Sequence, residues 1–181
     1  MPEVKPFAAL RPRADVAHCV CELPYDVVST EEARTQAAGN PLSFLHVSKP
    51  EIDRAVGTDP YAPAVYARGR QNLARLIAEG VLVRDSAPRF YVYRQTMGPH
   101  QQTGIVGVAS CADYEAGLIK RHELTRIEKE DDRMRHIDAL GAQTGPAFLV
   151  SRADNALDQL VASRAEGPPS VDWTARDGVR H

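Results

Sequence analysis

Apolar positions along this chain recur at two spacings, and each spacing predicts a different element. From Arg89 to Thr96 they alternate, with Phe90 and Val92 on one face and Tyr91 and Tyr93 on the other, as in a strand. A turn over residues 97–101, holding Gly98 and Pro99, leads into a second apolar run at 103–109, so an antiparallel hairpin is expected. Val65, Tyr66, Leu73, Leu76 and Ile77 recur at helical spacing behind Asp59, Pro60 and Pro63, which predicts a helix through Glu79 that Gly80 stops. Ile127, Met134, Ile137 and Leu140 form another helical stripe, and Glu130 or Asp131 falls where that stripe should continue. Thr125 with Glu128 has the Thr-x-x-Glu spacing of a capping box, which starts this helix near Arg126.

Shorter signals fill the gaps. The proline-bracketed segment at 4–12 reads as an edge strand or pinned arm. Ser29 or Thr30 caps a helix through Ala38, with Glu31 and Glu32 in its first turn and Gly39 beyond its end. Residues 42–47 read as a buried strand ending in His46, residues 81–83 as a strand, and Ser110 with Asp113 as the cap of a short helix ending at Gly117. A compact apolar strand is expected at 146–151, an amphipathic helix at 154–164, and the opening of a strand at 171–174, with Asp177-Gly178 as a turn. The sum is a mixed α/β (α+β) fold in which strands alternate with helices around one hairpin, incomplete at the C-terminus. The domain expectation is one unit over 1–166, with 167–181 as a linker and the start of a truncated further segment.

Composition narrows the function classes. The 181 residues are 43% hydrophobic and 25% charged, an ordinary globular balance. A net charge of -2 provides no broad basic field, so nucleic acid is not an expected partner. No run approaches the roughly 20 apolar residues of a membrane span, and the N-terminus lacks a signal-peptide pattern, so neither a membrane nor export is expected and the expected location is cytoplasmic. Cys19, Cys21 and Cys111 form no zinc-finger spacing and read as reduced thiols.

Charge is concentrated in residues 120–138, where both signs interleave between His122 and His136. Lys120, Arg121, His122, Glu123 and Arg126 gather at the start of the predicted helix, an end that already favours anions. Phosphoryl transfer needs cations on the transferring oxygens and a carboxylate to hold Mg²⁺ or accept a hydroxyl proton. Lys120, Arg121, His122 and Arg126, with Arg133 and His136 further along, are the candidate ligand-binding groups, and Glu123, Glu130 and Asp131 the candidate catalytic carboxylates. The plainer alternative is a solvated helix laced with ion pairs, with His136 bonded to a neighbouring carboxylate. No resident metal is expected: His122-Glu123 begins the zinc-helix pattern, but Arg126 stands where its second histidine belongs.

Several segments together carry a family resemblance: KPFAALRP, LPYDVVSTEEA, GNPLSFLHVSKPEID, GTDPYAPAVY, YVYRQTM, TGIVGVAS, IKRHELTRIEKEDDRMRHIDAL and TGPAFL. From about Lys5 onward the chain resembles the bacterial and archaeal family known as domain of unknown function 1015. Members of that family are about twice this long, so the resemblance implies a missing C-terminal portion as the partner of this one. They continue into a Gly-His-His-Arg motif resembling the phosphate-binding segment of the ParB and sulfiredoxin fold, a group that includes free-serine kinases. Residues 177–181, DGVRH, do not match that motif.

The expected function is therefore an enzyme, or its N-terminal part, that binds a small anionic metabolite and transfers phosphate from Mg²⁺ with ATP or ADP. A non-catalytic ligand-binding or regulatory module using the same cationic helix start is the alternative. A structural half, packed against the missing portion, is the third.

Overall fold

The computed structural model describes residues 2–121 and 125–181. Chain order gives β1 (Val4–Lys5), β2 (Leu10–Pro12), α1 (Ala17–Val20), α2 (Thr30–Ala37), α3 (Leu45–Ser48), α4 (Pro63–Ala78) and β3 (Leu82–Arg84). Then follow β4 (Tyr91–Met97), β5 (His100–Val106), β6 (Val108–Ala109), α5 (Cys111–Glu115), α6 (Ile127–Leu140) and α7 (Asn155–Arg164). Short 3-10 turns at Tyr25–Val27 and Pro50–Asp53 complete the set. The fold class is α+β, as expected, and it divides into two compact units, Met1–Ala14 with Arg84–Glu123 and Leu149–His181, and Asp15–Val83 with Leu124–Phe148.

The second unit is helical, and its local chemistry explains where each helix begins. Ser29 caps α2 through a reciprocal box: its hydroxyl accepts from the Glu32 amide at 3.3 Å and its own amide donates to the Glu32 carboxylate at 2.8 Å. Pro63 opens α4 at a position where a missing N–H does no harm. Val28, Ala33, Ala37, Leu45 and Ile52 are packed together as a buried cluster. The face of α4 that turns inward carries Val65, Tyr66, Leu73 and Leu76, whereas Ile77, assigned to that face from its spacing, is 44% exposed.

Residues 42–47 are not a strand. The Asn40 carboxamide oxygen accepts from the Leu42 amide at 3.2 Å, and the Ser43 hydroxyl accepts from the Leu45 amide at 3.2 Å. These side chains offer the backbone a turn in place of a ladder, and the chain coils directly into α3, with Leu45 and Val47 fully buried.

The other unit holds β1, β2, β4, β5 and β6. β1 pairs antiparallel with β6, setting Val4 opposite Ala109 and Lys5 opposite Val108, and Phe7 exchanges backbone bonds with Arg89. The N-terminal segment is thus a pinned arm. Arg11 grips Asp85 with two bonds, at 3.0 and 2.8 Å, and the Tyr91 hydroxyl donates to the same carboxylate. The expected hairpin is β4 and β5, in register from Tyr91 opposite Val106 to Met97 opposite His100. Its turn is tighter than residues 97–101. Only Gly98 and Pro99 lie between the strands, and Gly98 takes the positive φ of 55° that a two-residue reversal demands of its first position.

Residues 146–151 form no strand, and Phe148 and Val150 are 75% and 85% exposed. Ser110 caps α5 and Asp154 caps α7, each accepting backbone N–H groups just inside its helix. Near the end of the chain the Asp177-Gly178 turn brings His181 back to Trp173 through two backbone bonds, and Arg180 exchanges two more with Thr96 on β4. Among the described residues no helix is long and apolar enough to cross a membrane.

Candidate functional site

The charged helix α6 turns its polar side inward. The expected stripe holds only toward its end, where Ile137 and Leu140 are half-buried, while Ile127 and Met134 are 75% and 53% exposed. Asp132, Arg133 and His136, at intervals of one, three and four residues, face the helical unit instead. The physical reason is the partner face, which supplies a donor to Asp132, an acceptor to His136 and an aromatic ring to Arg133. Asp132 accepts from the Tyr66 hydroxyl at 2.8 Å, His136 Nε2 lies 2.9 Å from the Val47 carbonyl oxygen, and the Arg133 guanidinium lies over the Tyr25 ring at 4.0 Å. Nothing in the spacing of α6 could reveal those partners.

The start of the helix also differs from expectation. Arg126 occupies the N-cap position with no side-chain cap bond, so Thr125 stands one residue too early for its capping box.

His136 is 2% exposed. Since a carbonyl only accepts, Nε2 carries the hydrogen, and burial together with the nearby Arg133 charge lowers its pKa below the ordinary value. It is held as a neutral donor. Burial and the Asp132 carboxylate raise the Tyr66 hydroxyl well above the usual tyrosine range, so it too remains a donor.

A second polar layer lies in the same unit. Asp53 accepts from Arg68 at 2.9 Å and from Asn72 at 2.8 Å, and it faces His46 Nδ1 at 2.6 Å. Burial opposes ionisation there, but the bonds from Asn72, Arg68 and His46 outweigh it and hold the carboxyl below its ordinary value. His46 Nε2 faces the Asn40 carbonyl oxygen at 3.2 Å, so both ring nitrogens point at acceptors. Alongside, the buried Glu51 carboxylate accepts from Thr30 at 3.0 Å and pairs with Lys49 at 3.2 Å. These groups satisfy one another.

The sequence-predicted site residues are divided between the two units. Lys120 and Arg121 are exposed in the strand-bearing unit, where with Tyr114, Glu115, Gly117 and Ile119 they line an open concavity of about 510 Å³. The Arg121 guanidinium sits 5.1 Å above the Tyr114 ring. Arg126, Glu130, Asp131, Arg133 and His136 belong to the helical unit: Arg126 and Glu130 are exposed, Asp131 is half-buried, and Arg133 and His136 face Tyr25 and Val47. His122 and Glu123 lie outside the described residues.

Mg²⁺ with ATP or ADP would need carboxylates and cations in one place. In the helical unit Asp53 and Asp132 are already taken up by protein donors, and among the described residues lining the concavity Glu115 is the one acid. Among the described residues no three His, Cys, Asp or Glu side chains are grouped to hold a metal ion.

Sequence reasoning missed Tyr66, Asp132, Asp53 and Asn72 because each is ordinary until its partner arrives from another helix. Tyr25, the ring on which Arg133 rests, stands in the LPYDVVSTEEA segment.

Neither the curated proteins nor the solved structures offered a match to this chain. A family profile does match, over residues 4–181, under the description "Protein of unknown function (DUF1015)". With nearly its whole length covered by that match, the chain belongs to the DUF1015 family.

Proposed function

We propose that this chain binds a small anionic metabolite, with Lys120 and Arg121 as its handles. One observation carries the reading: two consecutive cations line the same open concavity, and among the described residues neither has a carboxylate within ion-pair distance. Surface cations are usually matched or scattered. Unmatched ones on a concave wall attract an anion, and the Tyr114 ring under Arg121 restricts where its guanidinium can point. The metabolite's charged group is a carboxylate or phosphate, since both suit an arginine fork beside a lysine point charge.

Titration calorimetry with inorganic phosphate, and separately with Mg²⁺ and ADP or ATP, tests this. Binding to the unaltered chain should weaken about tenfold or more in Lys120→Ala/Arg121→Ala, equivalent to about 1.4 kcal/mol. Equal affinity in both proteins, or heat from neither, rejects the proposal. Release of ADP in the ATP arm would extend it from binding to phosphotransfer, and Glu123→Gln should then stop turnover while leaving binding intact.

A further inference from the structure

We propose a second oxyanion site, independent of the Lys120 and Arg121 concavity, at the terminal nitrogens of Arg133. The argument begins with donors. A guanidinium carries five N–H groups. Among the described residues Arg133 uses one, from Nη2 to Asp132 Oδ2 at 3.2 Å, which is long for a charge-assisted bond. The other Asp132 oxygen is taken by the Tyr66 hydroxyl. Arg133 Nε is buried without a partner among the described residues, a state that is uncommon because a lost bond to water is not replaced.

The charge is therefore poorly compensated, and it is also fixed in place. The Tyr25 ring, 4.0 Å away, holds one face of the guanidinium. The side chain nevertheless keeps 26% of its surface open. Among the described residues Nη1 has no hydrogen-bond partner, and it is not fully closed off from solvent. A flat, immobilised, partly desolvated fork with open terminal donors fits the two oxygens of a carboxylate or phosphomonoester, and gives them two parallel bonds. An anion there would supply the compensation that Asp132 gives only in part.

The test reads the arginine itself. In the 15N spectrum of the whole chain, the Arg133 guanidinium signals should shift saturably on addition of inorganic phosphate or of acetate, at millimolar concentration. A response to phosphate alone assigns a phosphomonoester, and a response to acetate alone a carboxylate. Arg133→Lys, which keeps the charge but loses the planar fork, should reduce affinity tenfold or more, and Tyr25→Leu should reduce it several-fold. Lys120→Ala/Arg121→Ala should leave the Arg133 shifts intact, which separates this site from the other one. Arg133 signals that stay unmoved by both anions in the unaltered protein overturn the proposal, whatever the variants do.

Discussion

His136 on α6 donates from Nε2 to the Val47 carbonyl oxygen on α3 at 2.9 Å, so the most charged helix of the chain is tied to its core by a neutral ring. The bond satisfies two buried groups at once. Replacing His136 by Leu leaves the Val47 carbonyl without its donor, and the protein should lose about 2 kcal/mol of stability in urea denaturation. The pH dependence follows from the lowered pKa of the folded state. The folded ring binds fewer protons than the unfolded one, so stability should fall as pH drops below about 6.5, and His136→Leu should lack that slope.

Gly69 on α4 makes this contact possible. A Cβ there would sit 3.1 Å from the Pro50 ring, 3.2 Å from the Val47 carbonyl oxygen and 3.4 Å from His136 Nε2. Alanine would add about 1 kcal/mol of helix propensity, but the neighbours are a rigid ring and a backbone oxygen, and overpacking costs about 1–3 kcal/mol. Gly69→Ala should therefore lower the melting temperature rather than raise it, and it should weaken amide exchange protection in α6.

In the strand-bearing unit, bonds from Arg11 and Tyr91 pull the Asp85 carboxyl down to about 2. The unfolded value is about 3.9, so its contribution is complete above that pH and is lost as pH falls toward 2. Asp85→Asn should flatten the acid limb of thermal stability over this window, and leave the limb near neutral pH unchanged.

Asp53 is bonded to His46, Arg68 and Asn72 together, which makes it the hinge of the second polar layer. Asp53→Asn removes the charge that suits both Arg68 and His46, and should destabilise the chain by about 2 kcal/mol in denaturant titration. Arg68→Ala in the Asp53→Asn background should add less than it does alone, because the two share one network.

The amino-acid sequence by itself determined the elements whose causes are local. Ser29 and Glu32 are three residues apart and cap α2 wherever it lies, Gly98-Pro99 turns a hairpin whatever packs beside it, and the spacing of Val65, Leu73 and Leu76 announces α4. The family was also legible, since several long segments rather than one motif carried it.

Tertiary structure decided what depends on a partner distant in the chain. Tyr66, Val47 and Tyr25 set the facing of α6, bringing Asp132, Arg133 and His136 to its inner side. Of the cationic cluster, Lys120 and Arg121 belong to one unit and Arg133 and His136 to the other. Hydrophobic spacing ranks faces by apolar area, and it cannot count the donors and acceptors that a neighbouring helix will offer. Where those partners exist, a buried polar group is no longer a penalty, and the helix rotates to meet them.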